Sequence, residues 1–186
     1  MSKNNMEFLD VLDEKGNPLK ISKPRFQIHR DGDWHRTVHV WILNSRHELL
    51  LQKRSAEKES FPNFWDISCA GHMAAGQTSV DAAIREAREE LGMAIQEKDL
   101  EYLLTLRSRS MEHGGAFVDN EISDVYLVKK DRAISEMRIQ KEEISEVKWI
   151  PVDILKEVLA SERQDFAPHK EEYEKLFNIL GTHFSL

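Results

Sequence analysis

Residues 71–93 read Gly-His-Met-Ala-Ala-Gly-Gln-Thr-Ser-Val-Asp-Ala-Ala-Ile-Arg-Glu-Ala-Arg-Glu-Glu-Leu-Gly-Met. Apolar residues recur in the second half with the spacing of a helix, at Val80, Ile84, Ala87 and Leu91. Thr78 stands where a helix N-cap belongs, three residues before Asp81, and Gly92 follows as a C-terminal stop. The stretch therefore predicts an amphipathic helix over residues 80–91.

The helix carries three carboxylates, Glu86, Glu89 and Glu90, at positions i, i+3 and i+4. This spacing places them on one helix face, where like charges repel one another. Arg85 and Arg88 offset part of the repulsion, and a hard divalent cation such as Mg²⁺ or Mn²⁺ would offset it more fully. From these residues alone, a solvated acidic face and a metal site both remain open.

The composition limits the class of protein. The chain has 186 residues, of which 40% are hydrophobic, and this size predicts a single domain over residues 1–186. A net charge of -7 argues against non-specific nucleic-acid binding, and the single cysteine excludes an internal disulfide framework. No apolar run approaches the ~18 residues of a membrane span, and the first residues lack the apolar core of a secretion signal. We therefore expect a cytoplasmic protein with no membrane partner.

The remaining patterns predict an α+β fold. Turn residues near Gly16 indicate an N-terminal hairpin over about residues 6–22. Alternating or apolar segments predict strands at 37–43, 48–54, 102–108, 117–129 and 147–150, and a short extended segment before residue 70. Helices are expected at 152–161 and 169–180. A mixed sheet flanked by helices is the natural packing of these elements.

Residues 71–93 resemble the signature of the Nudix hydrolases. The matching positions are Gly71, Arg85, Glu86, Glu89, Glu90 and Gly92. The resemblance implies a Nudix fold, in which a mixed sheet is sandwiched between helices. It also implies Mg²⁺- or Mn²⁺-dependent hydrolysis of a diphosphate bond in a nucleoside diphosphate-linked or related small phosphorylated compound.

The same resemblance implies roles for these residues. Glu86, Glu89 and Glu90 would bind metal together with the Gly71 carbonyl, and Arg85 would orient the carboxylates. The signature has a further glutamate where this chain has Gln77, and an amide is no base and a poorer Mg²⁺ ligand. The catalytic base therefore stays open between Glu86 and a carboxylate elsewhere, of which Glu121 is the candidate.

The flanking stretches 29–44, 61–68 and 120–121 resemble a narrower branch, close to the type 1 isopentenyl-diphosphate isomerases. That branch has a metal site of histidines and two acidic residues one position apart, which implies as ligands His35, His72, Asp119 and Glu121. On a strand Asp119 and Glu121 share a face. His29 stands one residue out of register. Ordinary edge-strand charges and structural histidines are the alternative interpretation.

Two isomerase features are missing. Ala70 stands where the resemblance places the catalytic cysteine, and Cys69, one position earlier, should face the other way on an extended chain. The expected aromatic residue is matched by Gln164. A hydrolase is therefore favoured, with an isomerase and a non-catalytic nucleotide-binding sensor as alternatives.

Basic residues near these motifs are candidates for substrate binding. Lys53, Arg54 and Arg36 could contact substrate phosphates, although solvated surface is the commoner role of such residues. The expected partner is a small-molecule diphosphate rather than nucleic acid. A homodimer stays open.

Overall fold

The computed structural model describes residues 7–161 and 165–184. Its strands are Phe8–Leu12 (β1), Pro18–Pro24 (β2), Trp34–Leu43 (β3), Glu48–Arg54 (β4), Trp65–Asp66 (β5), Cys69–His72 (β6), Leu100–Glu112 (β7), Phe117–Lys129 (β8) and Ile144–Pro151 (β9). Its α-helices are Arg25–Asp31 (α1), Ser79–Leu91 (α2), Val152–Ala160 (α3) and Lys170–Phe184 (α4). No helix within the described ranges has the length and apolar character needed to cross a membrane.

Strand β3 lies at the centre of a mixed sheet. It runs parallel to β8 from Trp34↔Asn120 to Leu43↔Lys129 and antiparallel to β6. β7 and β8 form a long antiparallel hairpin, and β4 pairs antiparallel with both β5 and β9. The sheet thus brings β3, β6 and β8 side by side, although they are far apart in the sequence.

Both faces of the sheet are buried. Val38, Val40 and Ile42 of β3 pack in one cluster with apolar residues of α2. Trp41 and Leu43 belong to the other cluster, which contains residues of α3 and α4. Because successive strand residues point to opposite faces, the sheet lies between α2 on one side and α3 and α4 on the other. The α+β sandwich predicted from the sequence is confirmed.

Local signals set the bounds of α2. The Thr78 side chain accepts a hydrogen bond from the Asp81 amide at 3.1 Å, and Gly92 adopts the left-handed conformation with φ +64°. β1 and β2 pair in an antiparallel hairpin where one was expected. β7 and β9 extend beyond their predicted bounds, because pairing with β8 and β4 continues past the alternating segments.

Helix α1 was not predicted. It has only seven residues, too few for a helical period to show in the sequence, and lies between Pro24 and Gly32. Its omission matters because α1 carries Arg25 and His29 to the site described below. Gln164 lies outside the described residues, and the single-domain interpretation stays a prediction.

Candidate active site and metal centre

A cavity of about 910 Å³ opens where α1, α2 and the strands β3, β6 and β8 meet. Acidic and histidine side chains line it together with a few cations. The lining includes all three helix carboxylates and two acidic residues of β8, Asp119 and Glu121. Residues predicted separately from two sequence motifs therefore share one cavity.

The carboxylates of α2 are held in unequal surroundings. Glu86 and Glu90 are buried, whereas Glu89 is exposed over about half of its side chain. Burial raises the pKa of Glu86 to about 7, against the opposing effect of Arg85. Burial and the neighbouring Glu86 raise the pKa of Glu90 well above its ordinary value. A bound cation would stabilise the ionised form of both acids.

Gly71 and Arg85 fix the position of Glu86. A Cβ atom at Gly71 would overlap the Glu86 carboxylate, so only glycine permits this approach of β6 to α2. Arg85 Nη1 lies 2.8 Å from Glu86 Oε1 and 3.3 Å from Glu89 Oε2. Its Nη2 donates to the His72 carbonyl at 2.8 Å. Arg85 thus holds the carboxylates and the end of β6 together, as an orienting residue must.

A second group of ligand-type atoms lies in the same cavity. One atom from each of four side chains lies within 4.8 Å of the other three, the residues being His29, His35, His72 and Asp119. Asp119 Oδ1 is 3.3 Å from His29 Nε2 and 3.5 Å from His35 Nε2. Glu121 Oε1 is 3.9 Å from Nε2 of both His35 and His72. We call these five residues the histidine cluster.

Tertiary structure assembles the histidine cluster from four elements. The parallel register pairs His35 of β3 with Glu121 of β8, and β6 brings His72 opposite Thr37. Asp119 and Glu121 share a strand face as predicted. His29 joins the cluster from α1, so its offset in the sequence reflects an unpredicted helix and does not exclude it from the site.

The cluster contains buried polar atoms that lack a partner. Nε2 of each of the three histidines and Oδ1 of Asp119 form no hydrogen bond within the described part of the chain. Unsatisfied buried atoms are costly, and four of them pointing at one another are the donor set that a cation with mixed nitrogen and oxygen ligands requires. These residues therefore fit a bound metal.

The protonation of the cluster also suits a metal. Burial lowers the pKa of His35 to about 4, and burial together with Arg25 lowers that of His72 well below its ordinary value. Both rings are therefore neutral near pH 7, the form that binds metal. His35 Nδ1 donates to the Asp33 carbonyl at 3.1 Å, which leaves the Nε2 lone pair facing the cluster. Burial opposes ionisation of Asp119, but His29 and His35 outweigh it and lower its pKa.

The profile of the NUDIX domain matches residues 33–173. The chain belongs to the Nudix family. It is 35% identical over 181 residues to an uncharacterized Nudix hydrolase of Listeria innocua, covering 96% of this chain and 100% of that protein. These matches make the protein a Nudix hydrolase by family.

Other relatives extend this assignment. Nudix hydrolase 3 of Arabidopsis thaliana is 42% identical over 179 residues, which are 94% of this chain but only 23% of the plant protein. Isopentenyl-diphosphate Delta-isomerases match at 28% to 31% identity, as the narrower resemblance implied. A crystal structure from Deinococcus radiodurans shares the fold, with a TM-score of 0.69 and 24% identity over 91% of this chain and 98% of that one.

The departure from the Nudix signature at Gln77 lies outside the cavity lining. Gln77 Oε1 accepts hydrogen bonds from the Ala74 amide at 3.1 Å and from Arg85 Nη2 at 3.3 Å. The side chain therefore helps to hold Arg85 and the loop before α2. An amide oxygen performs this role without a negative charge.

The predicted substrate-binding cations divide into two groups. Arg54 lines the cavity, but Lys53 and Arg36 do not. Arg36 follows His35 on β3 and so points to the opposite face, where it binds Asp124 at 3.1 Å. The Lys53 ammonium lies 5.8 Å from the centre of the Trp65 ring. Strand pairing, which the sequence does not display, decides these placements.

Besides Arg54 and Arg85, three cationic residues line the cavity of this Nudix protein in its described part, namely Lys58, Arg25 and Arg109. Lys58 does so while its Nζ pairs with Glu143 at 2.6 Å. Arg25 extends from α1, and its Nε atom is buried with no hydrogen-bond partner among the residues that the structure describes. The sequence did not identify Arg25 as a site residue, because α1 was not predicted. The residues around Arg25 also form no pattern that marks a site.

The position of Cys69 agrees with prediction. Its side chain is fully buried in the cluster beneath α2, whereas Ala70 lines the cavity. β6 pairs with β3 in regular register across both residues, so no bulge turns the thiol toward the cavity.

Proposed function

We propose that this Nudix protein is a Mg²⁺- or Mn²⁺-dependent hydrolase of a diphosphate bond in a nucleoside diphosphate-linked or related small phosphorylated compound. The observation that carries the proposal is the convergence of the three α2 carboxylates and the histidine cluster in one cavity. An anionic substrate alone would be repelled by these acids. Cations bound between the carboxylates and a diphosphate would remove that repulsion.

The two acidic groups suit different ions. Glu86, Glu89 and Glu90, with the Gly71 carbonyl, would hold a hard cation through oxygen alone. The histidine cluster, with three imidazoles and the acids Asp119 and Glu121, suits a transition metal such as Mn²⁺. When bound, such ions supply charge neutralisation at phosphate oxygens and lower the pKa of a bound water.

The protein's own side chains would bind and orient the substrate. Arg25 lines the cavity and has a guanidinium nitrogen with no hydrogen-bond partner within residues 7–161 and 165–184, and Arg54 and Lys58 add two further cations. Guanidinium groups bind phosphate oxygens with directed hydrogen bonds. Arg85 would keep Glu86 and Glu89 in place while cations and substrate bind, because it contacts both.

The placement of the thiol disfavours the isomerase alternative. Moving a double bond requires an acid or base at carbon, which the isomerase resemblance assigns to a cysteine at the place of Ala70. The methyl group of Ala70 has no proton to exchange, and Cys69 faces away from the cavity. Attack of water on phosphorus needs no thiol.

We also propose that the partner is a small molecule and that the protein acts in the cytoplasm. The net charge of -7 and the acidic lining of the cavity support a small ligand over nucleic acid. Homodimer formation stays a prediction.

A substrate panel tests the proposed function. The purified protein is incubated with dinucleoside polyphosphates, nucleotide sugars, ADP-ribose and isopentenyl diphosphate, with Mg²⁺, with Mn²⁺ and with a chelator. We expect metal-dependent cleavage of at least one nucleotide-linked diphosphate, with oxygen from ¹⁸O-labelled water in one phosphate product. An allylic isomer of isopentenyl diphosphate as the only product, or binding without turnover across the panel, would contradict the proposal.

A further inference from the structure

An aspartate–histidine pair that belongs to neither metal-binding group lies on the cavity wall. His169 Nε2 and Asp66 Oδ1 are 3.0 Å apart, and both residues line the cavity. Asp66 is 2% exposed, whereas the His169 side chain is 28% exposed. The carboxylate is thus enclosed behind the ring, and the ring is accessible to water from the cavity.

The backbone fixes the position of His169. The Trp65 amide donates to the Asp165 carbonyl at 2.8 Å, and the Ala167 amide donates to the Trp65 carbonyl at 2.8 Å. This parallel bridge holds the segment before α4 against β5, the strand that carries Asp66. The Tyr173 amide then donates to the His169 carbonyl at 2.9 Å, which places His169 at the start of α4.

Asp66 is held rigidly by three donors. Besides His169, its Oδ1 accepts from the Ile67 amide at 2.8 Å, and its Oδ2 accepts from Arg54 Nη1 at 2.8 Å. Arg54 is itself fixed, because its Nε donates to the Ser60 carbonyl at 3.0 Å. The carboxylate therefore has one orientation, in which it accepts a hydrogen bond from the protonated Nε2 of His169. The neutral ring then carries its lone pair on Nδ1.

We propose that His169, oriented by Asp66, is the general base that accepts the proton of the attacking water. The assignment rests on the proposed hydrolase function and names the base that Gln77 leaves open. As the water oxygen forms its bond to phosphorus, a water proton passes to His169 Nδ1. The bond from phosphorus to the bridging oxygen breaks, and the leaving phosphate keeps that electron pair. Asp66 stabilises the imidazolium, which later releases its proton to solvent.

The other candidates for the base already have different contacts. Glu86 lies 2.8 Å from the Arg85 guanidinium and belongs to the carboxylate group that would hold metal. Glu121 contacts His35 and His72 within the histidine cluster. His169 is a member of neither group, so its Nδ1 lone pair stays available for proton transfer when cations are bound there.

The surroundings of His169 set the direction of its titration. Within the described residues, the charged or titratable side chains around it are Asp66, Arg54, His39, Glu121, Glu172 and Tyr173. Burial lowers the pKa of His169, but Asp66 outweighs this effect and raises it above the ordinary value. Because only the neutral ring accepts a proton, kcat should fall as the pH drops through this pKa.

Kinetics of matched variants test the assignment. We expect His169→Asn to lower kcat by about 10²-fold or more, with KM within a few-fold, and to remove the acidic limb of the pH profile. Added imidazole should restore part of the rate of His169→Ala. Asp66→Asn should lower kcat and shift the acidic limb to lower pH. His47→Asn, in the turn between β3 and β4, is the control and should retain the rate of the parent protein.

The outcomes separate this assignment from the proposed function. If the parent protein hydrolyses a diphosphate and His169→Asn retains its rate, or if the acidic limb persists and imidazole gives no rescue, the base is elsewhere. If the parent protein hydrolyses none of the panel, both the hydrolase proposal and the base fail. Nitrogen-15 NMR of the imidazole rings adds a measurement free of turnover. A neutral His169 ring protonated on Nδ1 would overturn the assignment.

Discussion

At the scale of single residues, the chemistry of the cavity depends on a few close approaches. Gly71 permits the Glu86 carboxylate to lie against the backbone of β6, and any side chain there would overlap it. Glu86 and Glu90 are buried acids with raised pKa values, the state expected of metal-binding carboxylates in the absence of their ion. These surroundings explain why the carboxylates of α2 should respond to metal.

Replacing Glu89 or Glu90 by glutamine should abolish most activity and weaken Mg²⁺ or Mn²⁺ binding, with the fold retained. The reason is that both would be metal ligands, and loss of a ligand removes transition-state stabilisation of several kcal/mol. Metal-dependent rates and calorimetric binding of Mn²⁺ measure the effect. Exposed Glu97→Gln, outside the cavity, is the control. Turnover near that of the parent protein at limiting metal would show a solvated acidic face instead.

Replacing Cys69 by alanine should leave hydrolysis within a few-fold of the parent rate. The thiol is buried beneath α2 on the side away from the cavity, so the change affects packing and no chemical step. We expect a loss of roughly 1 kcal/mol in the free energy of unfolding, from the small volume left behind. Activity assays and urea unfolding measure the two effects. A near-total loss of turnover in a folded variant would favour the isomerase mechanism over hydrolysis.

At the scale of elements, α2 and the loop before it act as one unit. Arg85 joins the helix to β6 through the His72 carbonyl, and Gln77 Oε1 joins the loop to Arg85. Gln77, which departs from the family signature, therefore contacts residues of this unit and does not line the cavity.

Changing Gln77 to glutamate should leave kcat within a few-fold of the parent value. The amide oxygen already accepts from Ala74 and Arg85, and the residue does not line the cavity. Steady-state rates across a range of Mg²⁺ concentrations are the measurement. Glu121→Gln, which alters the histidine cluster, should be more damaging. A large rise in kcat for Gln77→Glu would mean that a missing carboxylate limits catalysis.

Helix α1 should make metal binding depend on His29. A transition metal such as Mn²⁺ should raise the melting temperature of the protein, because a ligand that binds the folded state stabilises it. His29→Ala should reduce that rise while a folded protein remains, since it removes one of four converging ligand atoms. Thermal unfolding with and without Mn²⁺ measures this rise in melting temperature. His47→Ala should keep the full rise, and an equal rise in His29→Ala would exclude α1 from the site.

At the scale of the whole molecule, a buried charge pair connects α4 to the centre of the sheet. His39 Nδ1 lies 2.7 Å from Glu172 Oε2, and Trp41 Nε1 donates to Glu172 Oε1 at 2.8 Å. Burial lowers the pKa of His39, but Glu172 outweighs it and raises the pKa above the ordinary 6.5. Burial likewise opposes ionisation of Glu172, yet His39 lowers its pKa below 4.5.

This pair should make stability depend on pH. The His39 contribution is fully present below 6.5 and is lost as the pH rises through its folded pKa. The Glu172 contribution is present above 4.5 and is lost as the pH falls through its folded pKa. Glu172→Gln should therefore cost about 3–5 kcal/mol between these two values, and less at higher pH.

Urea unfolding at several pH values measures this cost. Glu171→Gln is the matched control, because Glu171 is an exposed neighbour on α4 whose carboxylate pairs with Lys175 at 2.7 Å. We expect it to change the free energy of unfolding by no more than about 0.5 kcal/mol. A pH-independent difference between Glu172→Gln and the parent protein would mean that packing, and not charge, accounts for the effect.

Elements whose causes are local could be predicted from the amino-acid sequence. The α2 helix depends on residues within a turn or two of one another, as do its Thr78 cap and its row of carboxylates. The order of residues in the sequence is therefore sufficient to predict them. β3 and β8 could be predicted because their apolar segments are long enough to identify as strands. The shared face of Asp119 and Glu121 follows from the period of a strand alone.

Contacts between residues far apart in the sequence became visible in the folded chain. The tertiary structure placed Arg36 and Lys53 outside the cavity, brought His29 into the histidine cluster on a helix too short to predict, and joined Asp66 to His169 across 103 positions. The physical reason is that strand pairing and helix docking are chosen by the burial of the whole apolar surface. A local sequence pattern does not show which segments pair, because the partner in each contact lies elsewhere in the chain.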